Sequence, residues 1–507
     1  MLRILNSQSR QKEEFKPLDA AGNRVMIYVC GPTVYDSLHL GHARASITPD
    51  VVRRYLEYKG FAVRFVTNFT DVDDKIIKRA IKEERDWRDI TATYIDEFHR
   101  VMLSLNVKPA DVYPRATDHI PEMIEIVERL LKEKNAYVAS DGDVYFDTSS
   151  YERYGALSGR KLEEEADYGS GRISQERMAV KKHPGDFVLW KLNKNDKEEI
   201  ARGGARVPRW PSPWGDGRPG WHLECSAMSR KYLGVPFDIH GGGQDLLFPH
   251  HEDEKAQTEC AYHEELEGKE SVRYWVHNAF INVKASKEDL ATLSPDLIDA
   301  ATGAVKGSRS LGNMKSLAAM IWPNGPFDPM AIRMMILSSH YRSPIVFEPA
   351  LLDEATARLE RIYNTLDAID RAAMPEGAAA SSEVMKSFDE AMDDDFNTAG
   401  ALGVVFELSS TINQALTKGG ADAAMLAASR SAMQSMLRVL GLRPHRAKAG
   451  GSAGDSDKLV ELLLQTRQEA RKVKQFALGD KIRDELKALG YEVEDLPGGK
   501  WVVKRKQ

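Results

Sequence analysis

Two apolar segments separated by a stretch of helical periodicity are the feature that most constrains the fold of this chain. Residues 24–30 (RVMIYVC) end at a Gly-Pro pair, and residues 61–69 (FAVRFVTNF) are rich in β-branched and aromatic side chains. Between them, apolar residues recur with helical spacing up to Gly60. The order strand, loop, helix, strand predicts a parallel α/β sheet, whose ligands bind at the carboxyl ends of the strands. We expect the helix to restart or kink near Pro49, which lacks a backbone N–H.

The chain has 507 residues, which is too long for a single core, so we expect several domains. An amphipathic helix, a hairpin around Asp141-Gly142 and a Pro- and Gly-rich stretch follow the first sheet segments. After His340, apolar residues recur at steps of three and four, which is typical of a helix bundle. The predicted domains are 1–117 and 221–282 as two halves of a Rossmann-like sheet domain, 118–220 as an inserted connective segment, 283–345 as a further insertion with a loop region, 346–445 as a helical bundle, 446–457 as a linker and 458–507 as a small C-terminal domain.

Composition narrows the functional classes. The net charge is −6, which excludes a uniformly basic nucleic-acid coat, although residues 458–507 hold 12 Lys or Arg against 8 Asp or Glu. No stretch approaches the roughly 18 apolar residues that suggest a membrane span, and the N-terminus lacks the pattern of a signal peptide. Three cysteines fit a reducing compartment better than a disulfide framework. We therefore predict a cytoplasmic protein without a membrane partner.

His39 and His42 lie three residues apart in HLGH, between the first predicted strand and the helix. Their spacing puts both imidazoles on one side of the first helical turn, where the helix N-terminus already attracts phosphate. Such a pair can donate hydrogen bonds to a nucleotide's phosphate chain and to charge that develops at the α-phosphate. From these residues alone, a capping or surface histidine pair remains an equal alternative.

A second group of residues has the chemistry of a metal site. His250 and Glu254 lie four residues apart, so on a helix they share a face, and Cys30 and Cys225 could complete a Cys₂HisGlu set suited to zinc. His251 competes with His250 as the ligand, and spacing does not choose between them. The alternative is that both cysteines are small buried hydrophobic residues.

Two further segments border these motifs. The glycines of GGGQD (241–245), including Gly241 and Gly243, would let a nucleoside approach the backbone, although a plain loop is equally consistent. The acidic run TDVDD (70–74) could suggest a divalent metal. We favour a solvated loop there that caps the following helix.

Four long motifs in this order resemble the cysteinyl-tRNA synthetases, a family of class I aminoacyl-tRNA synthetases. They are CGPTVYDSLHLGHAR, NFTDVDDK, WHLECSAM and DIHGGGQDLLFPHHEDE, and ARKVKQFALGDKIRDELKALGYEVEDLPGGKW is similar to that family's final domain. The resemblance implies a Rossmann-like catalytic domain with an inserted connective domain, a helical bundle that contacts the tRNA stem and a C-terminal anticodon-binding domain.

The resemblance also implies roles for individual residues. It implies one zinc ion per chain, with Cys30, Cys225, His250 and Glu254 as its ligands. Thr33, Thr70, Trp221 and Asp245 match positions that line the pocket for cysteine and its adenylate. His39 and His42 match the histidines of the ATP signature. Thr33, Gly241 and Gly243 are further expected ATP contacts.

The second class I signature, normally Lys-Met-Ser-Lys-Ser, has its best match in KGSRS, residues 306–310. Lys306 is retained, Gly307 replaces the methionine, and Arg309 replaces the lysine that contacts ATP phosphates. Arginine keeps the charge, but its planar fork differs from a compact ammonium. The stretch 283–305 is also longer than the family's usual connection. These departures bear on the geometry of the signature loop and on the catalytic rate more than on the reaction itself.

The implied reaction has two steps. L-cysteine and ATP, accompanied by Mg²⁺, give cysteinyl-adenylate and pyrophosphate, and the cysteine then moves to the 3′ end of tRNA(Cys). Zinc would select the substrate thiol, and we expect a monomer. In the tail, Trp501 could stack on a base or belong to the domain's core. Tail residues that could bind tRNA phosphates are Arg467, Arg471, Lys472, Lys474, Lys481 and Arg483.

Two alternatives remain open. One is a ligase that joins activated cysteine to an amino-sugar in mycothiol synthesis. That family lacks a full RNA-binding tail, so the segment after Lys458 is evidence against this alternative. The other is an RNA-binding paralogue with a structural zinc, which the departures in KGSRS suggest.

Overall fold

The computed structural model of this chain divides into two compact units, residues 1–445 and 446–507. Residues 285–303 of the predicted stretch 283–305, the linker residues 447–457 and the side chains of Lys306, Arg309, Lys472, Lys474 and Trp501 lie outside the described residues. The described residues are 1–160, 179–192, 199–200, 205–284, 304–307, 314–321, 325–371, 378–418, 422–446, 460, 463–464, 466–467, 470–471, 476–488, 491–496 and 500–505.

The strands are β1 (Arg3–Asn6), β2 (Gln11–Glu14), β3 (Arg24–Val29), β4 (Ala62–Thr67), β5 (Ala136–Val138), β6 (Val144–Phe146), β7 (Phe187–Leu192), β8 (Glu199–Ile200), β9 (Ala205–Arg206), β10 (Gly217–Pro219), β11 (Phe237–Gly243), β12 (Val272–Asn278), β13 (Ile281–Lys284), β14 (Ala304–Lys306), β15 (Ile345–Phe347), β16 (Tyr491–Leu496) and β17 (Lys500–Arg505).

The helices are α1 (Leu40–Tyr58), α2 (Asp74–Glu83), α3 (Trp87–Ser104), α4 (Ile120–Lys132), α5 (Trp221–Leu233), α6 (Glu252–Ala261), α7 (His263–Leu266), α8 (Leu317–Met320), α9 (Pro329–Leu337), α10 (Ala350–Arg371), α11 (Ser382–Asp393), α12 (Thr398–Lys418), α13 (Ala423–Leu440) and α14 (Phe476–Ala488). Among the described helices, none combines the length and the apolar character that a membrane crossing requires.

A parallel sheet in the order β12-β11-β3-β4 forms the centre of the larger unit and confirms the predicted α/β class. Successive side chains of a strand point to opposite faces. In β3, Val25 and Ile27 therefore enter the core that includes α1 and the helical bundle, whereas Tyr28 enters the core formed with α4, α5 and α6. Cys30 follows β3 on the Tyr28 side, so alternation alone directs it towards α5 and α6.

Helix α1 runs without a break from Leu40 to Tyr58, so the predicted restart near Pro49 is wrong. Proline removes one backbone donor from the helix. Ile47 and Val51, on either side of Pro49, are buried in the main core. We attribute the continuity of α1 to this packing, because apolar burial along the helix offsets the loss of one hydrogen bond.

Two smaller sheets flank the central one. The order β10-β7-β6-β5 is antiparallel throughout and lies within the segment predicted as an insertion, with the expected hairpin between β5 and β6. The order β14-β13-β15 follows β12 directly, and Asn282 of β13 is paired with Lys306 of β14. This second sheet therefore brings the start of KGSRS close to the central sheet.

Helices α10 to α13 pack as the predicted helical region, and their apolar side chains belong to the same core as α1 and α9. A buried arginine joins these elements. The Arg333 guanidinium of α9 pairs with the Asp50 carboxylate of α1 and donates to the carbonyl oxygens of Leu105, Asn106 and Leu440. Both charged side chains are almost fully buried. Removing one partner of such a pair leaves an uncompensated buried charge, so this arginine stabilises the contact between bundle and sheet.

The smaller unit contains helix α14 and the antiparallel pair β16-β17. Arg467 is buried and donates from Nε to the Gly479 carbonyl at 3.2 Å, so its predicted availability for phosphate is wrong. Arg471, Lys481 and Arg483 are exposed and remain candidates. A side chain that is buried in this way does not reach a nucleic acid.

Candidate metal centre and nucleotide pocket

Four predicted metal ligands converge from four separate elements. Cys30 follows β3, Cys225 lies on α5, His250 lies in the helical turn Leu247–His251, and Glu254 lies on α6. The Cys30 Sγ is 3.5 Å from the Cys225 Sγ and 3.4 Å from Glu254 Oε1, and His250 Nε2 is 3.0 Å from Glu254 Oε1. The four donor atoms all lie within 4.8 Å of one another.

These distances fit a single tetrahedral ion. With Zn–S bonds of about 2.3 Å and Zn–N or Zn–O bonds of about 2.0 Å, donors lie about 3.3–3.8 Å apart. Two sulfur donors, one imidazole and one carboxylate form a ligand set of the soft and borderline type that zinc accepts. In a second group, formed by Cys30, His240, His251 and Glu254, the donor atoms also lie within 4.8 Å of one another, and two members are shared with the first group. The geometry therefore brings together a candidate metal cluster in which either His250 or His251 can take part.

The charges of this buried cluster depend on one another. Burial raises the pKa of the Cys225 thiol. Hydrogen bonds to Cys30 and His250 lower that pKa by more than burial raises it, so the thiol has a pKa of about 6. Burial lowers the pKa of His250, whereas the Glu254 carboxylate and the Cys225 sulfur raise it to about 10. Despite its burial, Glu254 is held well below its usual pKa by His240 and His250. The cluster thus holds two anionic groups beside one cation, and a metal ion can replace protons there.

A chain of histidines behind the cluster has no counterpart in the sequence-based predictions. His240 Nε2 is 2.9 Å from Glu254 Oε2, and His251 Nδ1 is 2.8 Å from His277 Nε2, whose other nitrogen is 2.8 Å from the Ser7 hydroxyl. His222 Nδ1 is 2.9 Å from His250 Nδ1. Contacts of this kind fix the orientation of a ligating imidazole. Their sequence signal is weak because the partners are tens to hundreds of residues apart.

Three glycines of β11 have different roles. Gly241 is paired on both sides within the sheet and does not line the pocket. A Cβ atom on Gly242 would lie 2.7 Å from His251 Cε1, so glycine makes room for that imidazole. A Cβ atom on Gly243 would lie 2.5 Å from Asp245 Oδ1. Side chains of this chain therefore approach Gly242 and Gly243 closely, and the approach of a nucleoside to Gly241 and Gly243 stays a prediction.

His39 and His42 form a reciprocal cap at the start of α1. The Nδ1 atom of His39 accepts the Gly41 N–H, and the Nδ1 atom of His42 accepts the His39 N–H, each at 3.1 Å. Because both Nδ1 atoms act as acceptors, the hydrogen-bond network assigns the ring proton of each to Nε2. Burial and the neighbouring His39 lower the pKa of His42 to about 3, so it is neutral at pH 7. The capping alternative is thus realised, and it uses the Nδ1 atom of each ring.

A cavity of about 380 Å³ opens beside these histidines at the carboxyl ends of β3 and β11. Of the four candidate metal ligands, Cys30 lines the cavity, whereas Cys225, His250 and Glu254 do not. Predicted site residues that line it are Cys30, Thr33, His39, His42, Trp221, Gly243 and Asp245, together with Gly307 from the second signature. Trp221 is 38% exposed, and its ring stacks on His250 with 4.1 Å between centroids. The cavity therefore joins the histidine pair to the metal cluster.

Thr70 does not line this cavity. It is buried, its backbone pairs with Thr33, and its hydroxyl donates to Glu224 Oε2 at 2.8 Å. The neighbouring Asp71 is also buried, where it accepts from the Thr117 N–H and hydroxyl, so the predicted solvation is wrong for the first part of TDVDD, whereas Asp74 is exposed. The predicted capping is correct, since Asp73 caps α2. Thr70 therefore supports the wall that Thr33 provides.

Gly307 borders the cavity, and its departure from the family signature has a steric reason. A Cβ atom there would lie 2.2 Å from the Met314 Cε and 2.7 Å from the Ile281 carbonyl oxygen. Met314 therefore occupies the space that a larger residue at position 307 would need. Lys306 lies at the end of β14, immediately before this residue.

Comparisons with known proteins agree with this geometry. Residues 15–292 match the model of the tRNA synthetases class I (C) catalytic domain, and residues 387–443 match the DALR domain. The chain is 44% identical to a cysteine--tRNA ligase of Thermococcus onnurineus, covering 98% of each protein. It is 43% identical to that of Geobacter sulfurreducens, covering 99% of this chain and 100% of the relative.

Solved structures of class I synthetases have the same fold at low sequence identity. A Mycobacterium tuberculosis methionyl-tRNA synthetase in complex with methionyl-adenylate aligns with a TM-score of 0.52 at 15% identity, covering 82% of this chain and 89% of that one. A leucyl enzyme (LeuRS) of Agrobacterium radiobacter aligns with a TM-score of 0.56 at 12% identity, covering 84% and 85%.

The cluster predicts one tightly bound metal ion per chain that depends on Cys225. Metal analysis should find about one equivalent of zinc in the wild type and a large loss in Cys225→Ser, because a serine hydroxyl is a poor soft ligand. Cys260→Ser is the matched control: Cys260 is also buried, but it lies outside both candidate groups. Equal zinc content in Cys225→Ser and Cys260→Ser would remove Cys225 from the ligand set.

Proposed function

This chain belongs to the cysteine--tRNA ligases, which are class I aminoacyl-tRNA synthetases, and from that membership we propose how its residues carry out the reaction. It is an enzyme that joins cysteine to tRNA at the expense of ATP. The relatives and the family models give no support to an amino-sugar ligase or to an RNA-binding paralogue. The observation that carries the proposal is the cavity that connects the histidine cap of α1 to the sulfur-rich cluster.

We propose that the cluster is a zinc site with Cys30, Cys225, His250 and Glu254 as ligands. A bound zinc ion would supply a soft Lewis acid for the substrate thiolate. A serine hydroxyl remains protonated near neutral pH and is a weaker ligand. Sites that depend on one polar group of the substrate can reject an analogue without it by on the order of 10⁴-fold. This selectivity requires no separate editing domain.

The cavity residues would hold the rest of the cysteine and the nucleotide. Trp221 covers His250 and forms an apolar wall, Thr33 contributes a hydroxyl, and Asp245 contributes a carboxylate that suits the substrate's amino group. His39 and His42 would direct their Nε2–H donors at the phosphates, with the N-terminal dipole of α1 behind them. The His42 ring donates without carrying a full charge, so its contribution is positioning and hydrogen bonding.

In the first step, a carboxylate oxygen of cysteine attacks the α-phosphate and pyrophosphate leaves. Mg²⁺ accompanies ATP, and the residues at hand neutralise and orient the phosphates rather than form a covalent intermediate. We propose that Lys306 and Arg309 of the second signature contribute cations to this step. In the second step, a terminal ribose hydroxyl of tRNA(Cys) attacks the cysteinyl carbonyl and AMP leaves.

The helical region and the C-terminal unit would serve the second step. The DALR match covers α12, α13 and the C-terminal part of α11, so we propose that this region contacts the tRNA stem. We propose that residues 458–507 read the anticodon through exposed cations such as Arg471 and Lys481. The monomeric state and the cytoplasmic location remain predictions from the sequence.

Two substitutions of His42 separate its capping role from its catalytic role. Asparagine places an oxygen near the former Nδ1 and keeps the cap, but it lacks the Nε2–H donor. Cysteine-dependent exchange of pyrophosphate into ATP should therefore fall on the order of 10²-fold in His42→Asn, with little change in thermal stability. In His42→Gln the amide N–H lies near the former Nε2, so more activity should remain while the lost cap costs about 1 kcal/mol. Wild-type exchange rates in His42→Asn would exclude His42 from the reaction.

Removing residues 458–507 should affect the tRNA-dependent step alone. Every residue assigned to ATP, zinc and cysteine lies in the larger unit. The truncated protein should keep pyrophosphate exchange, whereas kcat/KM for tRNA should fall sharply and the intact enzyme should lose affinity with increasing salt. Full-length Lys481→Glu is a control that removes one exposed cation and leaves the unit in place. Equal aminoacylation by truncated and intact enzyme would show that the tail does not bind tRNA.

A further inference from the structure

Arg44 is a buried cation of α1 that the proposed reaction has not used. It lies two residues after His42, and its side chain is inaccessible to solvent. Its Nη1 donates to the Phe280 carbonyl at 2.8 Å, and its Nη2 lies 2.5–3.1 Å from the carbonyls of His340, Tyr341 and Ser343. Among the ion pairs that join described residues, none involves Arg44. Its charge is thus compensated by backbone dipoles.

The carbonyls that Arg44 binds lie next to the two parallel strands of the smaller sheet. Phe280 immediately precedes β13, and Ser343 lies two residues before β15. Strand β13 also pairs with β14, which ends at Lys306. Phe280, Ile281 and Gly307 line the same cavity as His39 and His42. One guanidinium therefore connects the helix that carries the histidine pair to the sheet that carries the second signature.

Three of the four carbonyls that Arg44 binds have a second hydrogen-bond donor. The Phe280 carbonyl also accepts the Ile345 N–H at 3.1 Å, the Tyr341 carbonyl accepts the Ala279 N–H at 2.9 Å, and the His340 carbonyl accepts the Ser343 N–H at 2.9 Å. A buried charge without a carboxylate partner carries a large desolvation cost. An apolar side chain of similar length would avoid that cost, so retention of the arginine calls for another account.

We propose that Arg44 is a positioning residue for adenylate formation, which sets the separation between the His39–His42 pair and the β13–β14–β15 sheet across the triphosphate site. The inference rests on the proposed roles of His39 and His42. The planar guanidinium holds donors in a fixed geometry towards two backbone segments at once, whereas the donors of a compact ammonium rotate and impose no such geometry. Misplacement of reacting groups by about 1 Å can cost on the order of 10²-fold in rate.

The test is a pre-steady-state measurement of adenylate formation with zinc-loaded, full-length enzyme. The burst amplitude counts competent sites, and the burst rate constant reports their geometry. In Arg44→Met we expect an amplitude near that of the wild type and a rate constant lower by on the order of 10²-fold, with an unchanged KM for cysteine. Arg44→Lys should give a rate constant between those of Arg44→Met and the wild type.

Arg333→Lys is the matched control, because Arg333 is equally buried and also binds backbone carbonyls, but it does not contact the sheet of β13 to β15. It should lower thermal stability and leave the burst rate constant unchanged. If Arg44→Met lowers the amplitude and keeps the rate constant, Arg44 is only structural and the proposal is wrong. A wild-type rate constant in Arg44→Met also overturns it. If the wild-type enzyme gives no cysteine-dependent burst, the proposed function itself fails.

Discussion

The buried carboxylate of Glu254 imposes the constraint on which the rest of the active region depends. A carboxylate that is almost fully desolvated is retained only where partners stabilise its charge. Here Oε2 contacts His240 of β11, and Oε1 contacts His250 and Cys30. Strands β3 and β11 and helix α6 must therefore meet at one point. Because that point lies at the carboxyl ends of parallel strands, the candidate metal cluster and the cavity beside His39 and His42 share a wall.

Two side chains at the start of α1 serve folding and, in the proposed reaction, phosphate binding. The Nδ1 atoms of His39 and His42 satisfy backbone donors that any helix N-terminus leaves unpaired. This use fixes the proton of each ring on Nε2, where a phosphate acceptor is expected. Arg44 then holds the helix against the neighbouring sheet through backbone carbonyls. The cap of α1, the tautomers of His39 and His42 and the position of α1 against the sheet are thus consequences of one local arrangement.

Local sequence patterns predicted what local physics determines. The apolar runs around α1 gave the parallel sheet, the i, i+4 spacing of His250 and Glu254 gave their contact, and the Asp141-Gly142 pair gave a hairpin. Predictions failed where distant packing decides: α1 continues through Pro49 because its flanks are buried. Thr70, Asp71 and Arg467 are buried although their residue types are usually exposed. The contacts of His277 and Arg44 were not predictable, because distant side chains and backbone carbonyls leave no sequence pattern.

The central claim is that a zinc ion at Cys30, Cys225, His250 and Glu254 selects the substrate by its sulfur. Zinc K-edge X-ray absorption of the purified enzyme, recorded alone, with L-cysteine and with L-serine, tests this claim directly. The account predicts a coordination shell with two sulfur atoms and two lighter atoms, in which cysteine raises the number of sulfur neighbours and serine does not. A shell with one sulfur atom in the free enzyme, or a spectrum unchanged by cysteine, would contradict it.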